Sequence, residues 1–516
     1  MLTGAVSAHR GGYASAVDAT RGRSPSNVNA LVAIVAAPIA FLVIAGLLHW
    51  PRALQAFGAD PRPDRWHTSP TPAFGGIGIF AGFALAVLLA IGIGPVGIPG
   101  EMLTVVAGGT IVFAFGLLDD VVHLHPAAKL GAQIAAAFVV LQSSISVEFV
   151  SSQTLGWAIG MLWLVGLTNA FNLLDNMDGL AGSLGVVAAS CFALSAAFVA
   201  PNRDIFIIAT ALALALLGFI PYNLRFTGPA RVFMGDSGSQ LTGFVLAALG
   251  LMASYKEAGT TIATVALPVL ILAVPILDTT LVTTLRLRSG RSVTQGGRDH
   301  TSHRLVYRGL SERRAVLFLV AVSAALGATS LAYAVLDSGR ITTIGVLVTF
   351  ALLLQFAAFL SGVSAAPGES GLSARASLLV DTLVDGALTV ASFYAAYVLV
   401  VEGNGTPWQR HIFIWALPAV LLCRYLALWA FGLYRRDRNN AKRGTLARIA
   451  AAVVASEVAA YLIVTNTQTL LEFPAKIFLL DAAICFVLLV AGRFAERAGL
   501  RLFRSWRSRS GTVTAT

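Results

Sequence analysis

Charge is what this chain lacks most. Of its 516 residues only 12% are Asp, Glu, Lys or Arg, while 57% are hydrophobic; an ordinary soluble domain carries about 25% charged residues. With a mean hydropathy of +0.78, the composition excludes a soluble globular chain and a disordered one, leaving a polytopic helical membrane protein. Cysteine is scarce as well. Cys191, Cys423 and Cys485 all lie in apolar runs, so neither a disulfide framework nor a zinc site is expected. No NAD binding is expected. Acidic residues are fewer than basic ones, 25 against 36, for a net charge of +11. The basic residues sit between apolar runs, as positive-inside loops and attraction to anionic membrane lipids require. They are not interleaved with aromatics that could stack bases, so no nucleic-acid partner is expected.

Apolar runs of spanning length, about 17–25 residues, recur at 30–49, 73–93, 102–118, 128–147, 155–174, 179–200, 204–221, 237–255, 260–284, 313–336, 341–362, 377–401, 410–434, 445–466 and 475–494. The expected fold is therefore all-α with about fifteen transmembrane helices, about eleven in a core and four after it. Only Asp175 to Asp178 separates the runs at 155–174 and 179–200. Residues 1–29 are rich in Ser, Gly and Arg and lack an apolar h-region; they read as a disordered tail before an uncleaved first span. The core runs over 30–362, a small-residue linker over 363–376, an accessory four-helix region over 377–495 and a basic tail over 496–516. Lys and Arg concentrate in loops that follow odd-numbered spans, which places those loops in the cytoplasm.

The polar segments fall on that same side. Asp119-Asp120 ends the third span; adjacent carboxylates repel unless a cation lies near, and such acids also serve simply as a helix terminus. Asn169, Asn172 and Asn176 recur at helical spacing with Asp175 close to the same face, followed by Asp178-Gly179. Such a stripe lines a cavity or forms an interhelical hydrogen-bond seam. Phe233-Met234-Gly235-Asp236-Ser237-Gly238-Ser239 opens the eighth span. Asp236 suits Mg2+, which takes one or two carboxylates plus phosphate oxygens, and a helix start favours an anion; the alternative is a plain helix cap. Arg298-Asp299-His300-Thr301-Ser302-His303-Arg304 lies in the most basic loop, and Arg62 to Pro72 forms a stiff basic loop with Trp66. Both suit phosphate oxygens or an ordinary membrane surface.

Together these segments resemble the polyprenyl-phosphate N-acetylhexosamine-1-phosphate transferases of glycosyltransferase family 4, over roughly residues 50–336. The resemblance implies transfer of a sugar 1-phosphate, N-acetylglucosamine 1-phosphate before others, from a UDP-N-acetylhexosamine to polyprenyl (undecaprenyl) phosphate. UMP is released, and the lipid product initiates a cell-wall or surface glycan. It also implies Mg2+, with Mn2+ as a substitute, and a bacterial plasma membrane with the site on the cytoplasmic face. By motif, Asp236 matches the Mg2+ ligand, with Asn172 or Asp175 as alternatives for a further one. Asp119 matches the acid that deprotonates or positions the lipid phosphate, Asp120 its partner and Lys129 the basic residue that follows. Asn172, Asp175 and Asp178 match the wall of the nucleotide site, and Asp175 also counts among the catalytic acids. Phe233 matches an aromatic packed on uracil; His300, His303 and Arg304 match the family's histidine loop. Three departures stand out: His123 in place of a further Asp or Lys, Ser302 in place of a middle His, and about three extra residues near Arg225 to Gly228.

Two other functions fit the same sequence: transfer of phospho-N-acetylmuramoyl-pentapeptide, or transport of lipid-linked sugars. A transporter would place acids near mid-span, whereas here they sit at span ends. Residues 377–495 look similar to the membrane region of CapD-type nucleotide-sugar dehydratases, without the soluble half. Asp381 and Asp385 stack at i, i+4 with Arg424 as candidate partner. This region is expected to serve structure, a homodimer contact or docking to other glycan enzymes.

Overall fold

The computed structural model describes residues 33–59, 71–93, 100–143, 145, 152–225, 228–256, 267–293, 297–336, 339–361, 374–401, 407–434, 444–467 and 474–509. They form two compact units, with described residues 33–256 in the first and 267–509 in the second. The expected tail 1–29 and the entry loop Arg62 to Pro70 lie outside the described residues, as does most of the linker.

The first unit contains α1 (Ala36–Leu48), α2 (Pro51–Ala56), α3 (Gly75–Ile93), α4 (Gly100–Val122), α5 (Pro126–Leu141), α6 (Gln153–Leu174), α7 (Leu180–Leu194), α8 (Arg203–Asn223) and α9 (Gly235–Lys256). Gly58–Ala59 and Thr71–Pro72 pair as a short antiparallel ribbon. Helix starts follow local chemistry. Ser152 accepts from Leu155 N at α6, Asn202 from Asp204 N and Ile205 N at α8, and α5 begins at Pro126 behind His125. Asp175 to Gly179 does break one long apolar stretch into α6 and α7, with Gly179 in the left-handed region at φ 78°. α9 is the central helix: it packs on α3, α4, α6, α7 and α8 and is almost wholly buried. Its small-residue face allows close approach, because a Cβ on Gly116 of α4 would lie 2.7 Å from Ser237 Cα.

The second unit contains α10 (Ala273–Arg288), α11 (Thr301–Tyr307), α12 (Glu312–Leu336), α13 (Gly339–Ser361), α14 (Ala374–Val400), α15 (Pro407–Ala430), α16 (Gly444–Thr467) and α17 (Lys476–Arg509). α14 to α17 close into a ring in which each packs on the next and α17 returns to α14. Apolar side chains fill its core, among them Phe393, Ile412, Val420 and Phe478.

The chain is an all-α multi-pass membrane protein. Among the described residues, 11 helices are long and apolar enough to cross a bilayer, against the about fifteen expected. The other four expected spans coincide with α1, α5, α10 and α17; α1 with 13 residues and α5 with 16 fall short of the roughly 20 a crossing needs. The expected partnership of Arg424 with Asp381 and Asp385 needs correction. Arg424 pairs with Glu457 of α16 and Asp481 of α17, while Asp385 pairs with Arg493 at 2.8 Å. Spacing along one helix fixes which residues share a face, not which helix that face meets.

Candidate active site

The two adjacent acids at the end of α4 avoid mutual repulsion by taking different partners. Asp120 accepts from the backbone N–H groups of Asp236 at 2.7 Å and Ser237 at 3.1 Å, and from Ser237 Oγ at 2.7 Å. The first N–H groups of a helix have no intrahelical acceptor and carry partial positive charge, so Asp120 caps α9 from a neighbouring helix. Gly235, just before, has φ 74°, and a Cβ there would lie 2.6 Å from Asp120 Oδ2 and 2.7 Å from Ala73 O. Gly235→Ala is therefore expected to pry Asp120 from its cap. It should cost about 1–3 kcal/mol of stability and lower activity in step, read by thermal unfolding in detergent.

Asp119 turns the other way. His123 adopts φ 55°, unusual for a residue with a Cβ, and reverses the chain so that Leu124 N donates to Asp119 Oδ1 at 2.6 Å. His125 Nδ1 then caps α5 by accepting from Ala127 N at 3.2 Å. This turn brings Lys129, on the first turn of α5, back over the end of α4. Its Nζ donates to Asp119 Oδ2 and to Asp236 Oδ2, each at 2.9 Å. Side-chain exposures of 26% for Lys129, 13% for Asp119 and 21% for Asp236 leave the cluster open to a ligand.

Amides hold Asp236 from behind. Gln240 Nε2 donates to Asp236 Oδ2 at 3.3 Å, Gln133 Nε2 to Gln240 Oε1 at 2.9 Å, and Asn169 Nδ2 to Gln133 Oε1 at 2.6 Å. Asn172 Nδ2 donates to Ser239 Oγ at 3.0 Å and also reaches the Asp236 carboxylate. The asparagine stripe therefore serves both expected purposes: Asn169 joins a seam between helices, and Asn172 borders the acids. Asp175 closes α6 as its C-cap residue. Asp178 Oδ2 accepts from Ala230 N at 3.0 Å, and Asn223 bridges Gly179 N at 2.7 Å and Val232 O at 3.0 Å. These bonds fix the segment leading into Asp236. Phe233 is buried against Ala73 and Ala230.

The histidine loop belongs to the second unit. Asp278 of α10 is fully buried; it meets His300 Nδ1 at 2.8 Å and accepts from Thr301 N at 2.6 Å and from Thr301 Oγ1. Arg286 grips Asp299 through Nε at 2.9 Å and Nη2 at 2.6 Å, and Arg291 Nη1 adds a bond at 3.1 Å. Arg304 is buried, with Nε donating to Asp299 O at 2.8 Å. Its guanidinium thus stiffens the loop. Burial works to raise the Asp299 carboxyl, but Arg286, helped by His300 and Arg291, holds it down at about 2. Burial, with the charge of His300 beside it, pushes the His303 imidazole down to about 3.

These shifts have a sign. A group whose folded-state pKa is depressed stabilises the fold above its unfolded value and loses that contribution as pH falls toward the folded one. His303 should therefore weaken the loop progressively from about pH 6.5 to its folded value of about 3, and Asp299 from its unfolded 3.8 to about 2. His303→Gln is expected to flatten the upper part of that acid loss, measured by thermal unfolding against pH.

Asp278, Gln240 and Gln133 carry no motif in the sequence. Asp278 offers a usable signal, a lone carboxylate inside an apolar run. The two glutamines are common amide residues whose role exists only across helices.

A cation already lies between Asp119 and Asp236: the Lys129 ammonium. Two carboxylate oxygens converging on one positive centre, with the Asn172 amide at hand, suit a hard divalent ion. Among the described residues no group of three or more His, Cys, Asp or Glu forms a closed metal cage.

The chain is thus a multi-pass helical membrane protein in which two acids and a lysine from three helices meet at helix ends. The sequence profile of glycosyl transferase family 4 matches residues 102–254, the stretch that carries Asp119, Asp120, Lys129, Asn172 and Asp236. The chain is 31% identical over 307 residues to the probable undecaprenyl-phosphate N-acetylglucosaminyl 1-phosphate transferase of Bacillus subtilis, covering 57% of this chain and 81% of the relative. To the decaprenyl-phosphate N-acetylglucosaminephosphotransferase of Mycolicibacterium smegmatis it is 34% identical over 327 residues, 56% of this chain and 78% of the relative. To the undecaprenyl-phosphate alpha-N-acetylglucosaminyl 1-phosphate transferase of Escherichia coli K12 it is 29% identical over 275 residues, 50% of this chain and 71% of the relative. The chain belongs to glycosyl transferase family 4. It is a membrane-embedded phosphotransferase.

Proposed function

We propose that this chain transfers N-acetylglucosamine 1-phosphate from UDP-N-acetylglucosamine to a polyprenyl phosphate. UMP leaves, at the cytoplasmic face of a bacterial plasma membrane. The names of its relatives support the sugar and the lipid. The observation that carries the site is the Lys129 Nζ bridge between Asp119 and Asp236.

A lipid phosphate oxygen attacks the β-phosphorus of the donor, forming one phosphoanhydride as the bond to UMP breaks. Charge neutralisation and in-line placement do most of the work in such a transfer. Asp119 takes the proton of the lipid phosphate and fixes its direction. Lys129 offsets charge on the phosphates. Asp236, aimed by Gln240 and by the Asp120 cap, with Asn172 beside it, is the residue that would hold Mg2+. The metal, when bound, supplies positive charge to the diphosphate. Asp178 and Asn223 act at one remove, by holding the Ala230–Phe233 segment. Phe233 supplies an apolar wall for the base; in the second unit Asp278 orients His300, and His303 and Arg304 brace that loop from within.

The purified protein in detergent, given UDP-N-acetylglucosamine and undecaprenyl phosphate, should release UMP only when both Mg2+ and the lipid phosphate are present. UDP-N-acetylmuramoyl-pentapeptide in a parallel reaction should not replace the donor. Release from the second donor alone would reassign the sugar. Translocation of a lipid-linked sugar without UMP would remove the transferase reading.

A further inference from the structure

Away from the aspartate cluster, the α14–α17 ring encloses charges that its fold does not balance. Arg424 of α15 is 1% exposed, Glu457 of α16 6% and Asp481 of α17 0%. Arg424 Nη2 donates to Glu457 Oε1 and, at 2.9 Å, to Asp481 Oδ2. One guanidinium therefore faces two carboxylates, one negative charge too many for an apolar helix ring. Among the described residues, Glu457 Oε2 and Asp481 Oδ1 have no hydrogen-bond partner, nor have Arg424 Nε and Nη1. The carboxyl groups of Glu457 and Asp481 nonetheless stand within hydrogen-bonding reach of each other. Two acceptors that close together, buried and each with an idle oxygen, lack only a hydrogen between them.

We propose that this ring binds one proton, shared between Glu457 and Asp481 beside Arg424. With it the triad is neutral overall, and the acid–acid contact becomes an O–H···O− bond, short and strong in a dry surrounding. Without it, two like charges would remain in a site that disfavours even one. The other groups reaching the triad do not supply the missing charge. Cys485 on α17 bonds Ser392 and, like Cys423 beside Arg424, is a thiol. Asp385 on α14, which also senses Arg424, is itself engaged by Arg493 and Tyr434. Tyr425 lies against Asp385.

Infrared spectroscopy of the full-length protein in detergent tests this near neutral pH, with no reference to sugar transfer. A neutral carboxylic acid carbonyl band is expected, sensitive to deuterium. It should vanish in Glu457→Gln or in Asp481→Asn, because either variant leaves one ionised acid opposite Arg424. Both variants should fold, since each keeps the neutral total of the protonated triad. A band identical in the wild type and both variants overturns the proposal, as does failure of both to fold. A band that appears only when sodium is removed would assign the site to a metal cation and equally overturn it.

Discussion

Asp236→Asn is expected to cut UMP release by at least about 100-fold, the scale of losing one preorganised electrostatic group at a reacting centre. The fold should survive. An asparagine at this position can still begin α9, whose cap is supplied by Asp120 through the backbone of residues 236 and 237. The amide can still meet Lys129 and Gln240, so the loss should fall on kcat rather than on thermal stability. Measuring UMP release and unfolding temperature on the same preparation separates the two. Full activity in a folded variant would remove Asp236 from the reaction.

Lys129→Met is the second large effect. The ammonium sits 2.9 Å from both Asp119 and Asp236, so its removal leaves two adjoining carboxylates facing each other with no cation to join them. Activity should fall by about 100-fold, because a positive charge that neutralises phosphate is gone. Divalent affinity should move the opposite way. The lysine occupies the space a cation would take, and two bare acids repel each other unless a cation joins them. The variant is thus expected to need less Mg2+ for half-maximal rate, while its maximal rate is depressed. A rate loss accompanied by a higher Mg2+ requirement would mean that Lys129 assists the metal instead of competing with it.

Much of this site could be seen in the sequence because lipid makes polar residues conspicuous. Asp119, Asp175, Asp178 and Asp236 stood out as acids at the edges of apolar runs, and the structure brings Asp119 and Asp236 together through Lys129. Other features had no one-dimensional trace. Asp120 looked like half of a repelling pair, yet it caps a helix that starts more than a hundred residues later. Gln133, Asn169 and Gln240 form a chain only because α5, α6 and α9 meet. Arg424 was assigned to the wrong acids for the same reason: Glu457 and Asp481 arrive from helices whose order around the ring is set by packing. Among the described residues, the helices within runs such as 30–49 and 128–147 are shorter than the runs themselves, so run length alone does not give helix length.

The central claim, that Asp119, Lys129 and Asp236 mark where a divalent ion meets the diphosphate, is tested most directly by electron paramagnetic resonance of added Mn2+ with UDP-N-acetylglucosamine. The wild type should bind the ion more tightly when the nucleotide sugar is present, and Asp236→Asn should lose that binding. Equal Mn2+ binding by the two folded proteins would contradict the assignment.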